Sequence, residues 1–299
     1  MSSINTSSPN SLPNFWSSYK KYRRSRRLQL ILAVIGGGIW LAAGLLFRWL
    51  WGDIGSMAAT AMILVIVFFL AANFSAVLYT MDDRYLNDEY NHQALLGIYT
   101  SLSPKTPLPY FRNHALSADT GVEYIRLIKR LKPNLIVELG SGTSSIIAGY
   151  VVKQNGKGRV IAIDHEEVWG SLTQQYLNDH EVRDYVEVRI APLVKNSINQ
   201  VSYNWYDPRS VQDIEKIDIL LIDGPPDIGG LGARCPALLL LGHLISDNGY
   251  IVVDDCVRPK WKKMVLDWAA ENEFLVEEPF NNEKNALLLR RNIRGKDTT

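Results

Sequence analysis

Five short apolar runs, at 135–137, 160–163, 186–190, 217–222 and 250–253, constrain the fold of this chain more tightly than any other feature. They have strand length, and stretches of helical spacing separate them at 143–153, 168–178 and 236–245. A further such stretch, 119–131, repeats apolar residues at Val122, Ile125, Leu127, Ile128 and Leu131, with Ser117 or Asp119 available as its cap. A strand that is nearly continuously apolar must be covered on both faces. Repeated strand–helix units of this kind predict an α/β fold, a doubly wound, mostly parallel sheet with helices on both sides. The end of the chain differs. The runs 274–278 and 286–290, joined by EPFNNEKN, predict an antiparallel hairpin at the sheet edge.

The front of the chain has another character. Residues 28–47 hold Gln29 as their only strongly polar side chain, and 57–78 form a second apolar run; each has about the length of a membrane crossing. Only RWLWGDIGS separates them, so they predict a transmembrane helical hairpin. A cleaved signal peptide fits worse, because the segment before the first run is too long and no small-residue cleavage site follows Phe47. Residues 1–27 hold six cations (Lys20, Lys21, Arg23, Arg24, Arg26, Arg27) and no acid, against Arg48 alone among the cations of the connecting loop. Cations before a first helix stay on the cytoplasmic side. The expected organisation is a basic cytoplasmic arm at 1–27, a two-helix anchor at 28–79 and a connector at 80–113 broken by Pro104, Pro107 and Pro109. An α/β domain at 114–291 and a tail at 292–299 complete it. The expected location is a two-pass cell (inner) membrane protein with both the N-terminus and the α/β domain in the cytoplasm.

Beyond residue 27 there are 26 cations against 31 acids, a net of −5. The folded body therefore lacks the basic balance of a nucleic-acid binder, and no nucleic acid is expected as a partner. Cys235 and Cys256 are too few for a disulfide framework and have no zinc-site spacing, so they read as free thiols.

The stretch 136–145, IVELGSGTSS, runs from a strand through a turn with Gly140 and Gly142 into a helix. Such a turn lets a ligand approach the backbone and meets it with free N–H groups of the helix start. The second strand ends at Asp164, about twenty residues on, where a carboxylate can accept both hydroxyls of a ribose. Together these predict adenosine binding and leave the cofactor open.

These residues, with Ala191-Pro-Leu193, Trp205-Tyr-Asp207, Leu221-Ile-Asp-Gly-Pro-Pro226, Arg234-Cys-Pro-Ala237 and Val252-Val-Asp-Asp255, occur in an order that resembles the class I S-adenosylmethionine-dependent methyltransferases, specifically the catechol-methyltransferase-like branch. The resemblance covers about 114–291 and implies a Rossmann-like sheet. It implies S-adenosylmethionine held by Glu138, Gly140, Ser141, Gly142, Asp164, His165, Ala191 and Asp223. One departure is Ser144 where many members have a third glycine. A dehydrogenase using NAD competes at Gly140 and Gly142, but its third glycine falls on Ser145 and its fingerprint gives no reason for Glu138. A non-catalytic, membrane-tethered interaction module with an inherited fold is the other alternative.

Methyl transfer from a sulfonium consumes positive charge, so in-line positioning and a deprotonated acceptor are its main demands. Asp223, Asp254 and Asp255 fall at two strand ends and could hold Mg²⁺ through hard oxygens. In catechol-type relatives the last of the trio is Asn, so Asp255 adds a negative charge here. Candidate catalytic residues are Asp223, Asp254 and His114. Arg234 and Arg258 could meet an anionic acceptor, although pairing with Asp227 or Asp255 is the plainer role. The expected acceptor is a hydroxyl of a small molecule or of a lipid-linked or saccharide intermediate at the inner membrane face.

Overall fold

The computed structural model describes residues 34–35, 37–38, 42–46, 48–50, 54–111, 115–198, 201–226, 233–277 and 282–292. The chain divides into two units, Met1–Leu86 and Asn87–Thr299.

In the first unit the described parts of 34–50 are helical, and the second apolar run lies within a helix, α1, Ile54–Leu102. Most described apolar side chains of that run are exposed, among them Met62, Ile63, Val65, Phe69, Leu70 and Phe74. Among the described residues no helix is long and apolar enough to cross a membrane; the described side chains of the second run stop at Ser75 and resume at Leu78.

The second unit holds the α/β body. Helices α2 (Ala118–Leu131), α3 (Thr143–Asn155), α4 (Glu167–Asp179), α5 (Cys235–Leu241) and α6 (Pro259–Glu271) surround a sheet of β1 (Leu135–Leu139), β2 (Arg159–Asp164), β3 (Val186–Ile190), β6 (Ile217–Ile222), β7 (Ile245–Val253), β8 (Phe274–Val276) and β9 (Leu287–Arg291). Strand order is β3-β2-β1-β6-β7-β9-β8. The first five are parallel, whereas β9 runs antiparallel to both β7 and β8. The C-terminal hairpin is thus inserted second strand first, with β8 at the edge.

Alternating side chains of the apolar strands feed two cores. Ile136, Val160, Ala162, Ile219 and Leu221 pack with α2 and α3 on one face. Val137, Ile161, Ile163, Leu220 and Ile222 pack with α5, α6 and Trp205 on the other. The cysteines Cys235 and Cys256 are free and buried.

Two segments depart from the expectation. The stretch read as a connector is helical as far as Leu102, and Ile98, Leu102 and Leu108 belong to the first core. The prolines end the helix, yet they leave Leu108 free to bury itself. Second, β4 (Leu193–Ile198) and β5 (Val201–Tyr206) form an antiparallel pair of their own, whose inner end buries Trp205 and Tyr206.

Membership of Ile98 and Leu102, in the last turns of α1, in the core sets a stability test. Truncating fully buried Ile98 to Ala should lower the unfolding free energy by about 2–5 kcal/mol in denaturant titration, while Leu96→Ala at an exposed position should change it by under about 0.5 kcal/mol.

Candidate active site

The sheet reverses its strand order between β1 and β6, and in such sheets the crevice lies beyond the carboxyl ends at that point. The turn after β1 is built for close approach. Gly140 has φ +101°, and its N–H donates to Ile163 O at 2.8 Å. Across the crevice, a Cβ on Gly224 would come within 2.4 Å of the Tyr206 hydroxyl and 3.2 Å of Gly140 N, so only glycine lets the turns after β1 and β6 meet.

Helix α3 starts at Thr143 with Gly142 as its cap residue, and Ser145 Oγ accepts from the Gly142 N–H at 3.3 Å. Ser144 stands inside the helix and caps nothing. It donates to Glu138 Oε2 at 3.2 Å, alongside Ser145 Oγ at 2.5 Å, while Tyr124 donates to Oε1 at 2.8 Å. Burial pushes the Glu138 carboxyl up to about 7 even though these three hydroxyls stabilise the anion.

Asp164, at the end of β2, ties the turn down. Its Oδ2 accepts from Ser141 N–H at 3.1 Å and Ser141 Oγ–H at 2.6 Å, and its Oδ1 accepts from the Glu166 N–H at 3.1 Å. A carboxylate offers about four acceptor positions, so one is left on the Oδ1 side. Around this group opens a cavity of about 630 Å³ lined by Gly140, Ser141, Gly142, Asp164, His165 and Asp223, with Trp169, Thr173, Tyr206 and Arg234.

At the ends of β6 and β7 the three acids do converge, their donor oxygens within 4.8 Å of one another. Asp255 adopts φ +56°, a conformation that Asp tolerates better than most residues. Two cations of the chain sit among the acids. Arg234 Nη2 lies 3.0 Å from Asp255 Oδ2 and 3.6 Å from Asp223 Oδ1; Lys284 Nζ lies 3.3 Å from Asp254 Oδ2 and 3.7 Å from Asp255 Oδ1. Burial and the neighbouring Asp254 charge raise the Asp223 carboxyl well above its usual range, and burial raises Asp254 despite Lys284. Burial alone would lower the Lys284 ammonium, but the three acids outweigh it and hold it above its ordinary value. Asp223 Oδ1 and Asp254 Oδ1 accept no hydrogen bond. Hard oxygens suit Mg²⁺, yet with an ammonium and a guanidinium already on them these residues, as they stand, do not fit a divalent ion.

Of the residues expected at the site, Gly140, Ser141, Gly142, Asp164, His165 and Asp223 line the cavity. Glu138 and Ala191 do not. Glu138 is fully buried and turned to Tyr124, Ser144 and Ser145, so it braces the turn from behind, and Ala191 is buried with its N–H on Asp164 O at 2.7 Å. Asp254 is fully buried and is not among the residues that line the cavity. Neither Asp254 nor Asp255 caps α6, whose cap position is Arg258. Arg234 pairs with Asp255 as expected; Asp227 and His114 lie outside the described residues.

Sequence reasoning missed four lining residues of α4, Trp169, Leu172, Thr173 and Tyr176. Their helical spacing of three and four is visible in the sequence, with Thr173 Oγ1 3.1 Å from Ser141 Oγ. Tyr206, part of the Trp205-Tyr-Asp207 motif, has its hydroxyl buried without a hydrogen-bond partner and raised well above its usual range by burial and then by the Asp164 charge. Lys284 had no local signal.

Residues 137–256 match a family model described as a methyltransferase domain, so this stretch is a methyltransferase domain, of the enzyme class that transfers methyl groups. Similar solved structures include a methyltransferase of Podospora anserina bound to S-adenosylhomocysteine, 17% identical over 71% of this chain and 95% of that one, TM-score 0.47. An O-methyltransferase of Bacillus cereus in complex with S-adenosylhomocysteine is 17% identical over 70% and 96%, TM-score 0.45. An O-methyltransferase of Streptomyces achromogenes involved in tomaymycin synthesis, in complex with S-adenosylmethionine, is 14% identical over 67% and 88%, TM-score 0.44. The comparison with curated proteins finds no match.

Glu138 makes stability depend on pH. Its folded value of about 7 stands above the ordinary 4.5, so between those limits the folded state keeps a proton that the unfolded chain releases, and stability falls as pH rises through that window. The loss attributable to Glu138 should be about 3 kcal/mol between about pH 4 and about pH 8, read by denaturant titration, and Glu138→Gln should remove it.

Proposed function

We propose that this domain transfers the methyl group of S-adenosylmethionine to a hydroxyl oxygen of an acceptor. The observation that carries the reading is the cavity at the carboxyl ends of β1, β2 and β6, with the glycine turn, Asp164 and Asp223 on its wall. The free acceptor position of Asp164 suits a ribose hydroxyl. The turn at 140–142 suits the methionine portion, and α4 supplies Trp169 and Tyr176 as flat apolar surface for a base.

Asp223 is the group best suited to the acceptor. Its raised affinity for a proton and its place on the cavity wall fit it to receive the acceptor's proton, while Arg234, 3.6 Å from its Oδ1, holds the carboxylate in place. In the transfer, the acceptor oxygen forms a bond to the methyl carbon as the carbon–sulfur bond breaks. The electron pair stays on sulfur, S-adenosylhomocysteine leaves neutral, and the proton passes to Asp223. Positive charge disappears in this step, so alignment supplies most of the acceleration.

The acceptor and location form the outer part of the proposal. A two-helix membrane anchor with both chain ends cytoplasmic would hold the domain at the inner face, where a lipid-linked or envelope-saccharide hydroxyl is within reach. What supports this is the basic arm before the first apolar run and the solvent-facing apolar side chains between Met62 and Phe74, a surface unsuited to water.

Three outcomes are expected. The full chain in detergent should gain thermal stability with S-adenosylhomocysteine and not with NAD, and Asp164→Asn should reduce the gain; stabilisation by NAD alone would return the site to a dehydrogenase. Asp223→Asn should lower the transfer rate by about 10² or more with S-adenosylhomocysteine binding unchanged. Reporter fusions after residues 15 and 295 should both report cytoplasm, and an external C-terminus contradicts the anchor.

A further inference from the structure

The geometry points to Lys284 as the resident cation of the Asp223, Asp254 and Asp255 cluster, occupying in this chain the place that a divalent ion would have to take. Lys284 comes from the loop before β9, far in sequence from the acids it meets, and nothing about its delivery is incidental. Its turn is locked from several sides. Asn282 Oδ1 accepts from the Ala286 N–H at 2.6 Å, Asn282 Nδ2 donates to Ala286 O at 3.1 Å, and the Asn285 N–H reaches Asn282 O at 3.2 Å. The neighbouring Glu283 N–H donates to Asp119 Oδ2 at 2.7 Å, and Asn91 Nδ2 to Glu283 Oε2 at 3.1 Å. A lysine on a free loop loses much rotamer freedom when it is fixed; here the turn has already restricted where the stem can point.

The ammonium then donates to Ala115 O at 2.7 Å and to Asp254 Oδ2 at 3.3 Å. Ala115 belongs to the cavity wall, so Lys284 connects that wall to the end of β7. Its side chain is 16% exposed and that of Asp254 is 0% exposed. A buried carboxylate requires a partner charge, and removing one member of such a pair is far more disruptive than never having built it. With Arg234 on Asp223 and Asp255, the three acids face two permanent cations of the chain. A divalent ion on these oxygens would be repelled by both, and seating it would require Lys284 to give up Ala115 and Asp254. Lysine and metal are therefore competitors for one place. The consequence for catalysis, metal-independent transfer, rests on the methyl-transfer reading; the competition itself does not.

The test is direct Mn²⁺ binding to the full chain, read by electron paramagnetic resonance, in the wild type and in Lys284→Met, Lys284→Arg and Lys284→Met combined with Asp254→Asn. The wild type and Lys284→Arg should show no saturable site up to about 1 mM Mn²⁺. Lys284→Met should acquire one site at least about 10-fold tighter, lost again in the double variant, because removing the ammonium leaves carboxylates that a hard cation can satisfy. A wild-type site as tight as that of Lys284→Met overturns the proposal, and so does a folded Lys284→Met that gains no site. If Lys284→Met does not fold, Lys284→Gln replaces it, and the wild-type titration alone can still contradict the proposal. S-adenosylhomocysteine binding, measured on the same samples, separates a failure here from a failure of the methyl-transfer reading.

Discussion

The carboxylate of Asp164 fastens the turn after β1 to the end of β2, and the geometry of the cavity depends on that fastening. Both of its bonds to Ser141 cross between strands, from a side chain of β2 to the backbone and hydroxyl of the turn. The Gly140 N–H adds a third link to Ile163 O. With the turn held against β2, the backbones at Gly140 and Gly224 can approach across the crevice, and the start of α3 is set at its mouth. Asp164 thus serves the architecture with both oxygens, Oδ2 through Ser141 and Oδ1 through the Glu166 N–H.

Charge buried around the site is handled in two physically different ways. On the α2–α3 side, Glu138 is met only by hydroxyls, which hydrogen-bond the anion but bring no countercharge, so burial keeps its proton affinity high. On the β6–β7 side, three acids are met by Arg234 and Lys284, and the balance is one of fixed charges. The first arrangement stiffens the turn from behind the cavity wall. The second leaves Asp223 on the wall, loaded by its acidic neighbours and steadied by its arginine, in a position to exchange a proton.

The parallel sheet was legible because strands buried on both faces need near-continuous apolar residues, as 160–163 and 219–222 supply. The glycine turn and the two strand-end acids, Asp164 and Asp223, were legible for a similar reason: their residue types are dictated by backbone approach and by what a carboxylate can accept. The β4–β5 pair was not, because it is short, half-exposed and mixes Lys195, Asn196 and Asn204 with its apolar residues. Glu138 was legible as important but not as buried, since an acid before a glycine turn reads the same whether it faces a ligand or three hydroxyls. Lys284 was invisible because its partners are separated from it by the chain path and nothing beside it in sequence marks the contact.

The central claim is that the crevice between β1 and β6 binds an adenosyl sulfur ligand through the fastened turn. A crystal structure of the chain with S-adenosylhomocysteine tests it most directly. The account predicts a ribose hydroxyl on Asp164 Oδ1, the methionine portion against Gly140 and Gly142, the base beside α4, and the sulfur directed toward Asp223. A ligand bound elsewhere, or one in this crevice with its ribose away from Asp164, would contradict it.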